Sequence, residues 1–270
     1  MSRLFRSFPR MAGAVAATVL VPMLVSSAAE AQQRLITATV TNRARANSVS
    51  FAPIHVGFHR GTFDPFNNGM TANAATVSIA EGGAGGQWQS DFAMIDPTAV
   101  RGTIGAGGPI LIGATRTLSF MVDVGVNPFF SFAGMVIPSN DLFIGNDSPI
   151  RLFDASGNLM LNRITQRGRD VWDAGSEVAD FRNAAFVVGG TNSLRTPQNG
   201  VVSFSTSELA EFNGRTTGAN YVFDSRLGAD EEILTIDFAS TVVPEPSTVV
   251  LLSAGLMALG FAARRRRIAQ

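Results

Sequence analysis

The sequence predicts an all-β protein, an antiparallel β-sandwich, and three observations support this fold class. Apolar and polar residues alternate with a period of two along short segments rich in β-branched and aromatic residues. Glycine and proline, 27 and 12 residues respectively, cluster between those segments as turn signals. Only residues 71–81 have a composition that is compatible with a helix. Short strands, frequent turns and little helix are typical of two stacked antiparallel sheets.

The predicted strands follow one another with turns between them. Residues 35–42 (LITATVTN) show the alternation clearly. The polar, Asn- and Gly-rich residues 179–200 predict a long loop that joins two strands. The region fits one domain with a core of its own. The full set of predicted strands is 35–42, 49–58, 118–124, 129–137, 201–205, 221–226 and 233–239.

The composition excludes several classes of function. The chain has no cysteine. It therefore has no disulfide, no thiolate nucleophile and no thiolate metal ligand. The full chain has a formal net charge of zero. When the arginines of residues 1–31 and 264–267 are set aside with Glu30 and Glu245, 14 arginines remain against 19 acidic residues. A mildly acidic domain does not suit nucleic acid, because phosphates attract basic surfaces.

Residues 243–270 combine three features in a fixed order. Pro244, Glu245 and Pro246 come first, and the two prolines separate the tail from the domain before it. Residues 248–263 are mostly apolar and predict a transmembrane helix of about 24 Å, slightly shorter than the ~30 Å hydrocarbon core. Four arginines follow and belong on the cytoplasmic side. We therefore expect the rest of the chain outside the cytoplasm.

This order of Pro-Glu-Pro, apolar helix and arginine cluster resembles the PEP-CTERM sorting signal. The resemblance implies that an exosortase of a Gram-negative bacterium recognises and cleaves the tail. It predicts a protein that is exported, held transiently in the inner membrane, and then placed at the cell surface or released.

The N-terminal end predicts a signal peptide. Three arginines precede an apolar stretch, residues 11–25, and Ala29 and Ala31 form a small-residue cleavage site. The alternative is an uncleaved N-terminal anchor, which the short apolar stretch disfavours. The predicted organisation is a signal peptide at 1–31, a β-sandwich domain at 32–241 and a sorting tail at 242–270.

The most concentrated polar side chains lie in two segments. Asp141 follows a strongly apolar predicted strand, and four acids lie within residues 170–180. Asp173 and Glu177 converge if the chain bends back at Gly175, and Asp141 can join them. Carboxylates and backbone carbonyls are the ligands that Ca²⁺ prefers. The alternative is that these acids are solvated loop residues that cap turns, since their spacing is not that of an EF-hand.

A second resemblance rests on the same segments. Residues 138–141 (PSND) and 172–177 (WDAGSE) resemble the Pro-Ser-x-Asp turn and the Trp/Tyr-Asp-Ala-Gly-Thr-Asp segment of the spondin N-terminal domain. Pro53 and residues 59–66 and 79–82 match that family upstream, in the same order. The likeness covers roughly residues 35–239. It implies an antiparallel sandwich of about eight strands, which agrees with the alternation.

In spondin domains, the Asp of the turn and the first and last acids of the later segment bind Ca²⁺. Carried over by motif, the metal ligands are Asp141, Asp173 and Glu177. Glu177 stands where the family has Asp, and Ser176 stands where it has Thr. The cysteines of animal members are absent. Because spondins are matrix and adhesion proteins, the resemblance implies an extracellular polysaccharide or matrix partner.

Other residues suggest weaker candidate sites. His55 and His59 are four apart, but no further zinc ligand accompanies them, so we expect ordinary strand and loop histidines. The sequence contains no Gly-x-Ser-x-Gly elbow and does not locate a glycosidase pair of carboxylates. Trp88 and Trp172 could each stack on a sugar, although Trp172 beside Asp173 favours a core position.

These observations together predict a non-enzymatic, exported, calcium-binding module for adhesion or for association with matrix or exopolysaccharide. Two alternatives stay open. One is a carbohydrate-active envelope enzyme, which would need a groove with two carboxylates about 5–10 Å apart. The other is a purely structural biofilm or surface component, which would self-associate and lack a discrete ion site.

Overall fold

Two antiparallel β-sheets form the domain. The computed structural model describes residues 33–243 and 246–268, so the predicted signal peptide, with Ala29 and Ala31, and the motif residues Pro244 and Glu245 lie outside the described residues. The described chain is mostly β with few helices, which confirms the predicted antiparallel β class. The strands are β1 (Gln33–Asn42), β2 (Ser50–Phe51), β3 (Ile54–His59), β4 (Val100–Ile104), β5 (Thr115–Asp123), β6 (Phe129–Ile137), β7 (Leu142–Gly145), β8 (Ile150–Arg151), β9 (Arg163–Arg167), β10 (Trp172–Asp173), β11 (Ser203–Phe204) and β12 (Glu232–Val242). The α-helices are α1 (Ala74–Gly82), α2 (Gly86–Ile95) and α3 (Pro246–Ile268), and short 3-10 helices lie at Gly168–Asp170, Phe181–Asn183 and Ser207–Phe212.

The first sheet has the strand order β5-β1-β12-β9. β1 lies between β12 and β5 and runs antiparallel to both. Its alternation buries Ile36 and Val40 in the core. Thr37, Thr39 and Thr41 lie on the opposite face, where their hydroxyls pair with hydroxyls of β5 at 3.0–3.2 Å.

The second sheet has the order β11-β10-β7-β6-β3-β4, and β2 and β8 also pair with β6. Aromatic rings join the two sheets into one core. Phe58 of β3 lies 5.2 Å from Phe120 of β5, and Phe130 of β6 meets Phe238 of β12 edge-on at 5.0 Å. Burying a ring of this size contributes about 1.5–3 kcal/mol relative to exposing it.

Helices α1 and α2 pack on the other face of the second sheet. α1 begins where the Asn73 side chain accepts a backbone N–H at 2.8 Å, and it ends at Gly83, whose φ is +65°. Phe92 of α2 stacks on Phe63 at 3.8 Å and lies directly over Gly57 of β3. A side chain at Gly57 would overlap the Phe92 ring, so the glycine allows α2 to approach the sheet.

The structure corrects the sequence prediction at several points, and it adds strands such as β4 and β9 that the sequence analysis did not predict. The predicted strand 49–58 is divided into β2 and β3 at Pro53, which has no N–H to donate to a neighbouring strand. Residues 221–226 form no strand, and Val222 makes only an isolated bridge to Thr216. The helix α2 was not predicted, because the glycines before and at its start read as a turn.

The C-terminal tail contains α3, a helix of 23 residues that begins at Pro246. Over the part of the chain that the structure describes, no helix is both long and apolar enough to cross a membrane. The predicted transmembrane helix at residues 248–263 is therefore not confirmed.

Candidate functional site: a buried acidic cluster

Carboxylates from distant parts of the chain meet where β7 and β10 pair. We call this group the acidic cluster. Four of its members are at most 9% exposed, and Asp173 is half-buried. The members act on one another electrostatically, so they form one site. The acidic cluster consists of Glu81, Asp141, Asp173, Glu177 and Glu208.

Asp141, in the turn between β6 and β7, is 1% exposed. Its Oδ2 accepts three hydrogen bonds, from the Ser176 N–H at 2.6 Å, the Ser176 hydroxyl at 3.1 Å and the Glu177 N–H at 2.9 Å. Its Oδ1 has no hydrogen-bond partner among the described residues. One oxygen of this carboxylate therefore holds the chain after β10, and the other is buried without a hydrogen-bond partner among the described residues.

A tight turn brings the chain after β10 back to Asp141. The Asp173 Oδ1 accepts the Gly175 N–H at 2.7 Å. Gly175 has a φ of +63°, and a Cβ built there would lie 2.7 Å from the Val201 nitrogen. Both the left-handed backbone and the close neighbour require glycine at this position. The chain therefore bends back at Gly175, which is the condition that the sequence analysis set for Asp173 and Glu177 to converge.

Glu177 is 3% exposed, and its Oε1 has no partner among the described residues. Burial raises the pKa of Glu177 to about 7, and the nearby charges of Glu81 and Asp141 add to the rise. The Asn140 side chain and the Arg195 guanidinium act in the opposite direction on this pKa. Near neutral pH the Glu177 carboxyl is therefore only partly ionised.

Glu81 and Glu208 complete the acidic cluster, and the sequence analysis did not assign either to the site. Glu208 accepts the Asn140 N–H at 2.9 Å, and burial, followed by the Asp141 charge, raises its pKa well above the usual value. Glu81 of α1 is ion-paired with Arg195, and burial raises its pKa as well. Both residues lie far from Asp141 in sequence, so no local spacing marks them.

The structure brings the three predicted calcium ligands together but does not present a finished metal site. The Asp141 charge acts on Glu177, and it adds to the effect of burial in raising the pKa of Asp173. Within the described residues, no three His, Cys, Asp or Glu side chains are arranged to hold a metal ion. A cation would therefore require a side chain such as Glu177 to rotate. The donors are all oxygens, which suits calcium better than zinc.

The two histidines have protein partners and do not form a zinc pair. The ring nitrogens of His55 lie 3.0 Å from the Thr103 hydroxyl and 3.1 Å from the Gly83 carbonyl. The Nε2 of His59 lies 3.1 Å from the Ser131 hydroxyl. Both histidines lie on β3, so His59 belongs to the strand and not to the loop after it.

The two tryptophans are core residues. Trp88 is fully buried and stands edge-on to Phe63 and Phe92 at 5.0 Å. Trp172 is 4% exposed and donates its indole N–H to the Gly145 carbonyl at 3.1 Å. The core position predicted for Trp172 is confirmed, and neither indole ring is open to a sugar.

Comparison with known proteins identifies the C-terminal segment. Residues 242–267 match the family model of the PEP-CTERM protein-sorting motif. The motif indicates a surface protein that is exported and sorted by an exosortase at the membrane. No curated protein matches the chain. The resemblance to the spondin N-terminal domain is not supported by these matches and stays a prediction.

Proposed function

We propose that this protein is a non-enzymatic, exported binding module. In this proposal the acidic cluster holds a calcium ion, and the same end of the domain attaches to extracellular polysaccharide or another matrix component. The main support is a pair of buried carboxylate oxygens, Asp141 Oδ1 and Glu177 Oε1, which have no partner among the described residues.

A bound cation would remove a large electrostatic cost from the acidic cluster. Buried carboxylates without a partner lose the solvation that water gives them. The nearby Arg195 is ion-paired with Glu81. Burial, followed by the charges of neighbouring carboxylates, raises the pKa values of Glu177 and Glu208. Calcium brings two positive charges and accepts six to eight oxygen ligands, so it suits a cluster of this composition.

Three side chains would hold the ion. Asp141 and Glu177 would provide the unpartnered oxygens, and Asp173 would provide its second carboxylate oxygen. Backbone carbonyls and water would complete the ligand set. Extracellular calcium modules bind with dissociation constants of about 10⁻⁴–10⁻³ M, and we expect an affinity in this range.

The sorting motif supports an extracellular setting for such a site. In this proposal the signal peptide is cleaved after Ala31, and the tail with Pro244, Glu245 and Pro246 meets the exosortase and the inner membrane of a Gram-negative bacterium. The domain then reaches the cell surface or is released. Its partner there is a polysaccharide or matrix component, and nucleic acid is not among its partners.

Calorimetry of the purified full chain tests the calcium proposal. Calcium at about 10 mM is about 10 to 100 times the expected dissociation constant, so it should stabilise the folded state by about 1.4–2.7 kcal/mol. For a domain of this size, that free energy raises the melting temperature by roughly 3–10 °C. We expect this rise in calcium relative to EDTA. A melting temperature that stays unchanged between micromolar and about 10 mM calcium would refute the proposal, because about 10 mM is at least about ten times the expected dissociation constant.

A matched pair of variants locates the ion. Asp141→Asn should abolish the calcium-dependent rise in melting temperature. Asp96→Asn is the control, because Asp96 is also 1% exposed and accepts the N–H groups of Arg60 and Thr98, but lies outside the acidic cluster. In EDTA the Asp96→Asn control should melt at a lower temperature than the wild type. Calcium should still raise its melting temperature by the full amount. A full calcium effect in Asp141→Asn would place the ion elsewhere.

Binding to isolated exopolysaccharide, with calcium and with EDTA, tests the partner. Retention that depends on calcium supports the proposed module. Release of reducing sugar would instead indicate the carbohydrate-active enzyme. Self-association without any calcium effect would indicate the structural surface component.

A further inference from the structure

We propose that the groove beside Phe204 binds one hexopyranose unit of a neutral, β-linked polysaccharide. This inference rests on the proposed function, because it names the surface with which such a module would hold its polysaccharide. We call this surface the Phe204 groove. Its remaining wall residues are Gly168, Arg169, Ser205, Thr206, Leu227 and Ala229.

Phe204 presents a flat aromatic ring that is fixed in position. The residue is 53% exposed, and its ring stacks on Trp172 with centroids 3.7 Å apart. Trp172 is buried, and it is anchored by its bond to the Gly145 carbonyl and by an edge contact with Phe66 at 5.2 Å. A ligand that lies on a ring already held in place causes little further loss of side-chain entropy.

The size of the groove fits a single sugar ring. Its volume is about 270 Å³. Since one water occupies about 30 Å³ of liquid, the groove holds the equivalent of about nine waters. Ser205 and Thr206 add hydroxyl groups beside the aromatic ring.

The charges of the groove favour a neutral ligand. Arg169 is ion-paired with Asp230, and both side chains are more than half exposed. The pair offers donors and acceptors side by side without a net charge, which suits neighbouring hydroxyls of a polyol.

The aromatic ring selects the configuration of the sugar. The face of an aromatic ring is electronegative and attracts C–H groups. A β-linked glucose unit carries its hydroxyls equatorially and its C–H bonds axially, so it has an apolar face for the Phe204 ring and a polar edge for Arg169. A protein anchor fits less well, because binding hot spots lie in well-packed, desolvated pockets and the neighbours of Phe204 in the groove are mostly polar or small.

The strand pairing links the Phe204 groove to the acidic cluster. Trp172 pairs with Phe204 between β10 and β11, and Asp173 is the next residue of β10. An ion that orders Asp173 would also hold Trp172 and the ring stacked on it.

Titration of the full chain with cellohexaose and laminarihexaose, two neutral β-glucans, tests the inference by calorimetry in calcium. We expect one of them to bind with a dissociation constant below about 1 mM. Phe204→Ala should weaken that binding at least about tenfold, and Phe204→Trp should retain it. Val201→Ala is the matched control, because Val201 is 45% exposed in the same segment but does not line the groove. It should bind as the wild type does.

Two results would overturn the inference. One is the absence of binding of both glucans at about 10 mM, well above the expected dissociation constant. The other is equal binding by Phe204→Ala and the wild type. The calcium effect on melting temperature is measured on the same samples. If it persists without glucan binding, only the Phe204 groove proposal fails; if glucan binding depends on Phe204 without a calcium effect, only the ion proposal fails.

Discussion

The buried imidazole of His59 makes the stability of the fold depend on pH. His59 is 0% exposed, and its Nδ1 accepts the N–H groups of Gly61 at 3.2 Å and Phe63 at 3.4 Å. The ring proton therefore lies on Nε2, which donates to the Ser131 hydroxyl at 3.1 Å. Burial lowers the pKa of His59 to about 4, although the charge of Asp96 opposes this effect.

The sign of the pH dependence follows from this pKa. In the unfolded chain the pKa of His59 is 6.5, so between pH 6.5 and about 4 the unfolded state binds the proton more readily. The stability that neutral His59 contributes is complete above pH 6.5 and is lost as the pH falls through that range. The difference between the two pKa values corresponds to a loss of at most about 3 kcal/mol in the free energy of unfolding on acidification. For a domain of this size, that is roughly 6–12 °C in melting temperature.

The variant His59→Asn keeps a hydrogen-bond acceptor and removes the titration. Urea unfolding in EDTA at two pH values, near 7 and near 4.5, gives the free energy of unfolding that each protein loses on acidification. We expect the variant to lose about 2–3 kcal/mol less than the wild type. His55→Asn separates the contribution of the second histidine, whose pKa burial also lowers. Equal losses in His59→Asn and the wild type would refute the reasoning.

Three further variants have defined expectations. Phe92→Ala should lower the free energy of unfolding in urea by about 3–5 kcal/mol, because a fully buried ring stacked on Phe63 is lost; a loss below about 1 kcal/mol would contradict the packing. Gly175→Ala should lower the free energy of unfolding by at least about 1 kcal/mol, because the left-handed turn at Gly175 brings the chain after β10 back to Asp141. It should also remove the effect of calcium on the melting temperature, and an unchanged calcium effect would contradict this role. Arg163→Ala should lower the free energy of unfolding only slightly, and even less in 1 M salt, because its ion pair with Asp237 is largely exposed to water. A marked loss that salt does not reduce would contradict this expectation.

The sequence predicted the long strands well and the short ones poorly. The predicted strand 129–137 has the bounds of β6, and the predicted strand 35–42 lies within β1. Residues 35–42 show the period-two pattern, and residues 129–137 form a long, mostly apolar run that is buried almost throughout. β10 has two residues and so contains no period to detect, and the predicted strand 201–205 is reduced to the two residues of β11. Their pairing is decided by the tertiary fold.

The candidate site was predictable only in part. Asp141, Asp173 and Glu177 stand in recognisable short motifs, and Gly175 indicated the turn that returns the chain to Asp141. Glu208 gave no such signal, because its burial depends on contacts with residues far away in sequence. The Phe204 groove was not predictable for the same reason. The adjacent residues of a two-residue strand do not indicate whether its one aromatic ring is exposed.

The hydroxyl pairs between β1 and β5 have a practical consequence for measurement. Thr117 is exposed on β5, and its hydroxyl lies 3.1 Å from that of Thr39. If Thr117 is replaced, Thr39 can turn its hydroxyl to water, so the substitution should cost little. Because the chain has no cysteine, Thr117→Cys would give it a single thiol. A membrane-impermeant thiol label applied to whole cells would then report directly whether this outer face has left the cytoplasm.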